Sequence, residues 1–223
     1  AYELARQGAA GLNAVVECLM RVLEIARAAS PSQSRGGEAF WEDSNRQIMR
    51  NGLPVLYAAT GTVRMGDLLK FVRSAPRSQA EMTDPAWQAK SFFCEMFTKA
   101  ASALDDETGA RCVAYWQNDF ATLDAKTRGN IVISLTTALD RFNHGWLKTA
   151  FCDATTYVPE LSVHGAILLL NMPALTCNED GIIAQQLIKY MWQRAVLARN
   201  ALLAQHQARP VFLWADEAQY FIN

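Results

Sequence analysis

The run Val211-Phe212-Leu213-Trp214-Ala215-Asp216-Glu217 sets two adjacent carboxylates behind an apolar stretch. If that stretch is a buried strand, both acids stand at its C-terminal end, where α/β sheets take their ligands. A carboxylate held there can bind a divalent cation, usually through water, while the next residue polarises an attacking water. On this reading Asp216 is the metal- and nucleotide-linked residue and Glu217 the catalytic one. The same pair also suits the first turn of a helix, where negative charge meets the positive end of the dipole. A few apolar residues followed by Asp-Glu are too common to choose between the two.

In P-loop ATPases a strand of this kind is the Walker B element, and it requires a phosphate loop, G-x-x-x-x-G-K-[ST]. The nearest match is Gly61-Thr62-Val63-Arg64-Met65-Gly66-Asp67-Leu68. It keeps the glycine spacing but puts Asp67 where a lysine must reach phosphate and Leu68 where a hydroxyl must reach Mg²⁺. An aspartate there repels phosphate, and no strand precedes it. The segment is no phosphate loop, and the chain should not turn over ATP alone.

Other chemistry is thin. Cys18, Cys94, Cys112, Cys152 and Cys177 are dispersed, without a C-x-x-C pair, and read as buried thiols of a reducing compartment. His144, His164 and His206 form no metal-ligand or triad spacing. Arg64, Lys70, Arg73 and Arg77, with Phe71 among them, could grip a single-stranded nucleic acid or a partner, or could be an ordinary solvated helix face. Trp41, Trp87, Trp116, Trp146 and Trp192 read as core anchors before base-stacking platforms. Arg194 and Arg199 stand on the helix that leads to the acidic pair.

The composition sets bounds on these options. With 223 residues, 51% of them hydrophobic and 19% charged, the chain can bury a core and is not globally disordered. A net charge of −1 provides no bulk cationic excess, so any nucleic-acid contact must come from a local patch. The longest apolar stretch, Ala166–Leu170, is too short to span a bilayer, and no leader pattern opens the chain, which reads as soluble and cytosolic. Because a strand at 211–215 needs neighbours on both sides, the chain reads as a piece of a longer protein.

Helical periodicity dominates the first two thirds. Leu12, Val15, Val16, Leu19, Met20 and Leu23 form one helix face, and residues 1–30 read as a helix of a nucleotide-binding domain. A polar Ser-Gly stretch, 32–37, separates it from an all-α domain over 38–145. There the pattern predicts helices at Glu38–Ala58 (disturbed by Pro54), Leu68–Val72 capped by Asp67, Ala86–Leu104 started by Asp84-Pro85, Thr108–Phe120, and Ala125–Phe142 capped by Asp124. From 160 to 223 the texture changes to an apolar run, Gly165–Pro173, a long helix, Asn178–Leu203, and the run 211–215. Strand, helix, strand predicts a βαβ unit of a parallel sheet, hence an α/β fold with a large all-α insertion.

The order of several stretches resembles one family. Arg209–Gln219 resembles the Walker B region of the TraD/TraG-type coupling proteins of type IV secretion. Phe40–Asp43, Ser74–Pro76, Lys126–Arg128, Ile167–Pro173 and Gln193–Val196 are similar in the same order, from about Leu12 onward. The resemblance implies a partial RecA-like P-loop core with its helical domain inserted before Walker B. It implies a membrane-associated, homo-hexameric ATPase at the cytoplasmic face of the bacterial inner membrane, using ATP and Mg²⁺. Such a motor delivers relaxase-bound single-stranded DNA to the secretion channel during conjugation. Asp216 and Glu217 carry over as the Mg²⁺-linked and water-activating carboxylates; the family's phosphate loop and membrane helices would lie before Ala1. Two alternatives stay open: a non-enzymatic helical docking module for relaxosome or effector proteins, and another hexameric DNA-pumping ATPase.

Overall fold

The computed structural model describes residues 9–28, 38–153, 157–216 and 218. These fall into two compact units. One holds the first helix up to Leu23 and the chain from 38 to Asn143; the other holds 24–28 and the chain from His144 onward.

In the first unit the helices are α1 (Ala9–Ala28, as far as Leu23), α2 (Glu38–Thr60), α3 (Met65–Arg73), α4 (Gln79–Met82), α5 (Pro85–Gln88), α6 (Phe92–Ala100), α7 (Asp106–Ala114) and α8 (Ala125–Asp140). The central one is α2, which packs against α3, α6, α7 and α8. Ile48 and Met49 are buried, and so is every residue from Asn51 to Leu56, so the turn that holds Pro54 has no solvent face. Pro54 does not end this helix. It removes one N–H from the ladder, and in that turn the Asn51 carbonyl accepts a bond from the Trp116 indole N–H at 2.9 Å.

Trp116 enters the core because α7 runs into a π turn, Tyr115–Phe120, closed by Ala121 N–H to the Trp116 carbonyl at 3.2 Å. The wider turn puts Tyr115, Trp116 and Phe120 all inside. Phe71 of α3 and Phe93 of α6 complete an aromatic cluster, with ring centroids 5.2 and 5.5 Å from Trp116.

Local chemistry starts most of these helices. Asp124 accepts N–H bonds from Lys126 and Thr127 and caps α8, and Asp105 does the same for α7 through Thr108. Those bonds hold both carboxyls below the ordinary aspartate range. The expected helix from Ala86 to Leu104 is instead α5 and α6, separated at Ala89–Ser91. Ser91 restarts it. Its Oγ accepts from Cys94 N–H at 3.4 Å and donates to the Ser74 carbonyl at 3.0 Å, while Ser74 Oγ accepts from Phe93 N–H at 2.9 Å. Ser91→Ala should therefore cost about 1–2 kcal/mol, read as a lower urea midpoint at unchanged slope. An unmoved midpoint would show that the junction does not depend on this hydroxyl.

The second unit contains α9 (Gly145–Lys148), α10 (Ala174–Ala198) and α11 (Ala204–Gln207), with short π and 3₁₀ turns between. α10 buries Ile183, Ala184, Leu187, Ile188 and Ala195, a single face, and is interrupted at Asn178, whose φ is 51°. Here the α/β expectation fails. The described residues are 75% helical and contain no strand or sheet, so neither a βαβ unit nor a RecA-like core is present in them. The two runs expected as strands, 165–173 and 211–215, are non-helical but form no ladder. Both present apolar side chains outward: Ile167 is 98% exposed, Leu169 91%, Phe212 73% and Trp214 90%. A buried parallel strand requires partners on both edges and cover on both faces, and the described residues supply neither.

Candidate functional site

Asp216 follows the second extended run at an exposed position. Within the second unit, both runs and the α10 residues Gln185, Ile188, Lys189 and Trp192 line a cavity of about 880 Å³ that reaches Asp216. Glu217 lies outside the described residues. Among the described residues, no group of three or more His, Cys, Asp or Glu is placed to hold a metal ion. Asp216 fits one ligand of a water-bridged Mg²⁺ and no more, and the cavity walls beside it are mainly apolar. Gly61, at φ 68°, sits in the turn between α2 and α3, and Gly66 lies within α3, so the near-match segment is a helix connection.

The tertiary structure also pairs residues that spacing did not. His164 and His206, far apart in the chain, stack edge-to-face with centroids 4.5 Å apart. Arg209 lies against Gly165, which has φ 96°; a Cβ there would meet the guanidinium, so the turn requires glycine. The Arg194 guanidinium donates to the Tyr190 hydroxyl, one turn back on the same helix, at 3.2 Å. Of the cysteines only Cys112 is buried, the other four being half-buried, and burial pushes the Cys112 thiol up. Of the tryptophans expected as anchors, only Trp116 is fully buried; Trp41, Trp87, Trp146 and Trp192 are half-buried.

The basic residues of the first unit give a clearer site. Lys70 and Arg73 occupy the last turn of α3 on its exposed side, and Arg77 follows four residues later, also exposed. The Ser74–Ser91 bond brings the start of α6 to this helix end. Lys90, exposed and adjacent to Ser91, thus flanks the same hydrogen bond as Arg73, which adjoins Ser74. Lys70 Nζ lies 5.9 Å from the ring centre of half-exposed Phe92. Among the described residues these four cations form no ion pair. Asp67 lies three residues before Lys70 on α3, and Glu81 accepts the Arg77 backbone N–H at 2.6 Å.

Two sequence assignments change. Phe71 is fully buried, 4.7 Å from Phe93 between ring centres, and cannot stack on anything outside the core. Arg64 sits at the opposite end of α3, so about 9–10 Å of helix rise separates it from Lys70. Lys90 and Phe92 replace them, and the signal was non-local: the two stretches are joined by the Ser74–Ser91 and Phe93–Ser74 bonds and by Phe71 against Phe93.

Beside this cluster, α5, α6 and the end of α7 enclose a groove of about 910 Å³. Half-buried Trp87 and Phe97 contribute aromatic surface to it, buried Phe93 and Trp116 lie behind them, and Lys90 is among the residues that line it. Glu95, also on the groove, is bound by Lys99 at 2.7 Å.

Set beside known proteins, the chain matches no family model, no curated protein and no solved structure. No helix among the described residues is long and apolar enough to cross a membrane.

Proposed function

We propose that this chain is a segment of a DNA-transfer motor of the conjugative coupling type, whose helical unit grips single-stranded DNA. The observation that carries the reading is Lys70 beside half-exposed Phe92 at the junction where the Ser74–Ser91 bond joins the chain neighbours of exposed Arg73 and Lys90, with exposed Arg77 just beyond. A chain with net charge −1 places near one helix junction four cations that form no ion pair among the described residues, which is the local patch that phosphate binding requires. An aromatic ring beside them adds a surface on which any base can stack, so the grip is independent of sequence.

ATP and Mg²⁺ belong in this proposal to the full-length motor, as do its hexameric state, its inner-membrane location, the relaxosome and the secretion channel. Asp216 would serve there as one Mg²⁺-linked carboxylate and Glu217 as the water-activating one. The described residues do not by themselves make a nucleotide site, so no hydrolytic step is assigned to them.

The test is fluorescence anisotropy with a labelled oligothymidylate of about 20 nucleotides, titrated at several salt concentrations. Four phosphate contacts on a single strand give a slope of log K against log salt of about −3. A chain that leaves the oligonucleotide free at about 20 mM salt would end the proposal and leave the helical unit as a protein-docking module.

A further inference from the structure

Trp87 and Phe97 are half-buried in the groove beside the basic cluster, each presenting part of a ring to solvent. The volume, about 910 Å³, falls in the range of small-ligand sites, about 300–1,000 Å³. Its walls are mixed: Met82, Trp87, Phe97 and Val113 supply apolar surface, and Gln88, Gln117, Thr98 and the Glu95–Lys99 pair supply nearly as much polar surface. Two features decide what kind of ligand fits. Glu95 is neutralised by Lys99, and burial pushes the Cys94 thiol up and keeps it uncharged, so no free negative charge faces the groove from α6. Lys90, which forms no ion pair among the described residues, stands both on the groove and at the Ser74–Ser91 junction. The groove is therefore continuous with the cationic track at its mouth.

We infer that this groove takes an unstacked nucleobase of the single strand whose phosphates lie on Lys70, Arg73, Arg77 and Lys90. The inference rests on the single-strand reading above and names where a base goes. The rings supply stacking, the cations complement the phosphates at the mouth, and the glutamine amides can meet base edges without fixing which base enters. An apolar ligand without an anionic tail would leave Lys90 without a partner at the mouth. A duplex keeps its bases stacked and would use the cations alone.

Two oligomers of equal length and charge separate base contacts from phosphate contacts: oligothymidylate and an abasic deoxyribose-phosphate strand. The intact chain should bind the abasic strand about 5- to 100-fold more weakly, with the same salt slope. Trp87→Leu, at a half-buried position on a short helix, should narrow the difference between the two strands to the part that Phe92 carries, again with the slope unchanged, and a difference left as large as the parent's would overturn the base site. Its far-UV spectrum reports whether it folds, and the abasic comparison on the unaltered chain does not depend on it. Equal binding of both strands by the intact chain, at a slope near −3, would overturn the base site and leave the phosphate track standing. Failure to bind either strand would overturn both.

Discussion

Neutralising Lys70, Arg73, Arg77 and Lys90 together, each to glutamine, should weaken binding to a single strand on the order of 10³-fold at about 50 mM salt. Counterion release sets the salt dependence: each single-strand phosphate contact contributes about 0.7 to the logarithmic slope, so removing all four cations should flatten it almost to zero. Single substitutions should each remove about 0.7 from that slope, and the effects should be similar because the four act as point charges on one track. Arg64→Gln is the internal control. It lies at the far end of α3 from Lys70 and should leave slope and affinity unchanged. A quadruple variant that binds as tightly as the parent, or an Arg64 variant as impaired as the others, would place the contact elsewhere on the molecule. None of the four side chains is buried, so the variants should keep the parent's melting temperature within a few degrees.

Trp116→Ala should destabilise the helical unit by about 3–5 kcal/mol, the largest loss expected from any single substitution in it. The indole is fully buried and its ring lies 4.9 Å from Phe120 and 5.1 Å from Tyr115 as well as against Phe71 and Phe93. Removing it leaves a cavity at the meeting point of α2, α3, α6 and the π turn, and it leaves the Asn51 carbonyl without the indole donor. Trp116→Phe separates these contributions. It keeps most of the ring volume and loses the 2.9 Å bond, so its cost should be about 1–3 kcal/mol. Urea denaturation followed by far-UV dichroism measures both. An alanine variant within about 1 kcal/mol of the parent would mean that the aromatic cluster does not hold the unit together.

Where an element depends on neighbouring residues, its start was legible. Asp124 caps α8 and Asp84 caps α5 as their sequence contexts predict, because a cap bond spans two or three residues. Asp67 is not the cap expected of it: it lies inside the first turn of α3, and Arg64 occupies the capping position without a side-chain bond. Continuity was harder to read. Nothing local separates α5 from α6, and the break depends on Ser91 reaching Ser74, 17 residues away. The same bond assembles the proposed nucleic-acid site, so the site was half legible. Lys70, Arg73 and Arg77 are close in sequence and stand out there; Lys90 and Phe92 come from another stretch and do not.

The apolar runs at 165–173 and 211–215 show the other limit. Their apolar composition, and the stop at Pro173, read as buried strands; the runs are non-helical but unpaired. Composition could not decide whether they pair. A strand is defined by hydrogen bonds to another segment, and that partner is not encoded in its own residues.

For this protein, then, the sequence alone determined helix content in the first unit, most helix starts and the absence of a bulk charge that would bind nucleic acid, since each follows from short-range capping, periodicity or simple composition. The tertiary structure decided which aromatic rings face inward, which cations share one junction, and that the two apolar runs stay unpaired among the described residues. Those outcomes depend on the meeting of residues far apart in the chain, and burial selects among them only when all the helices are in place.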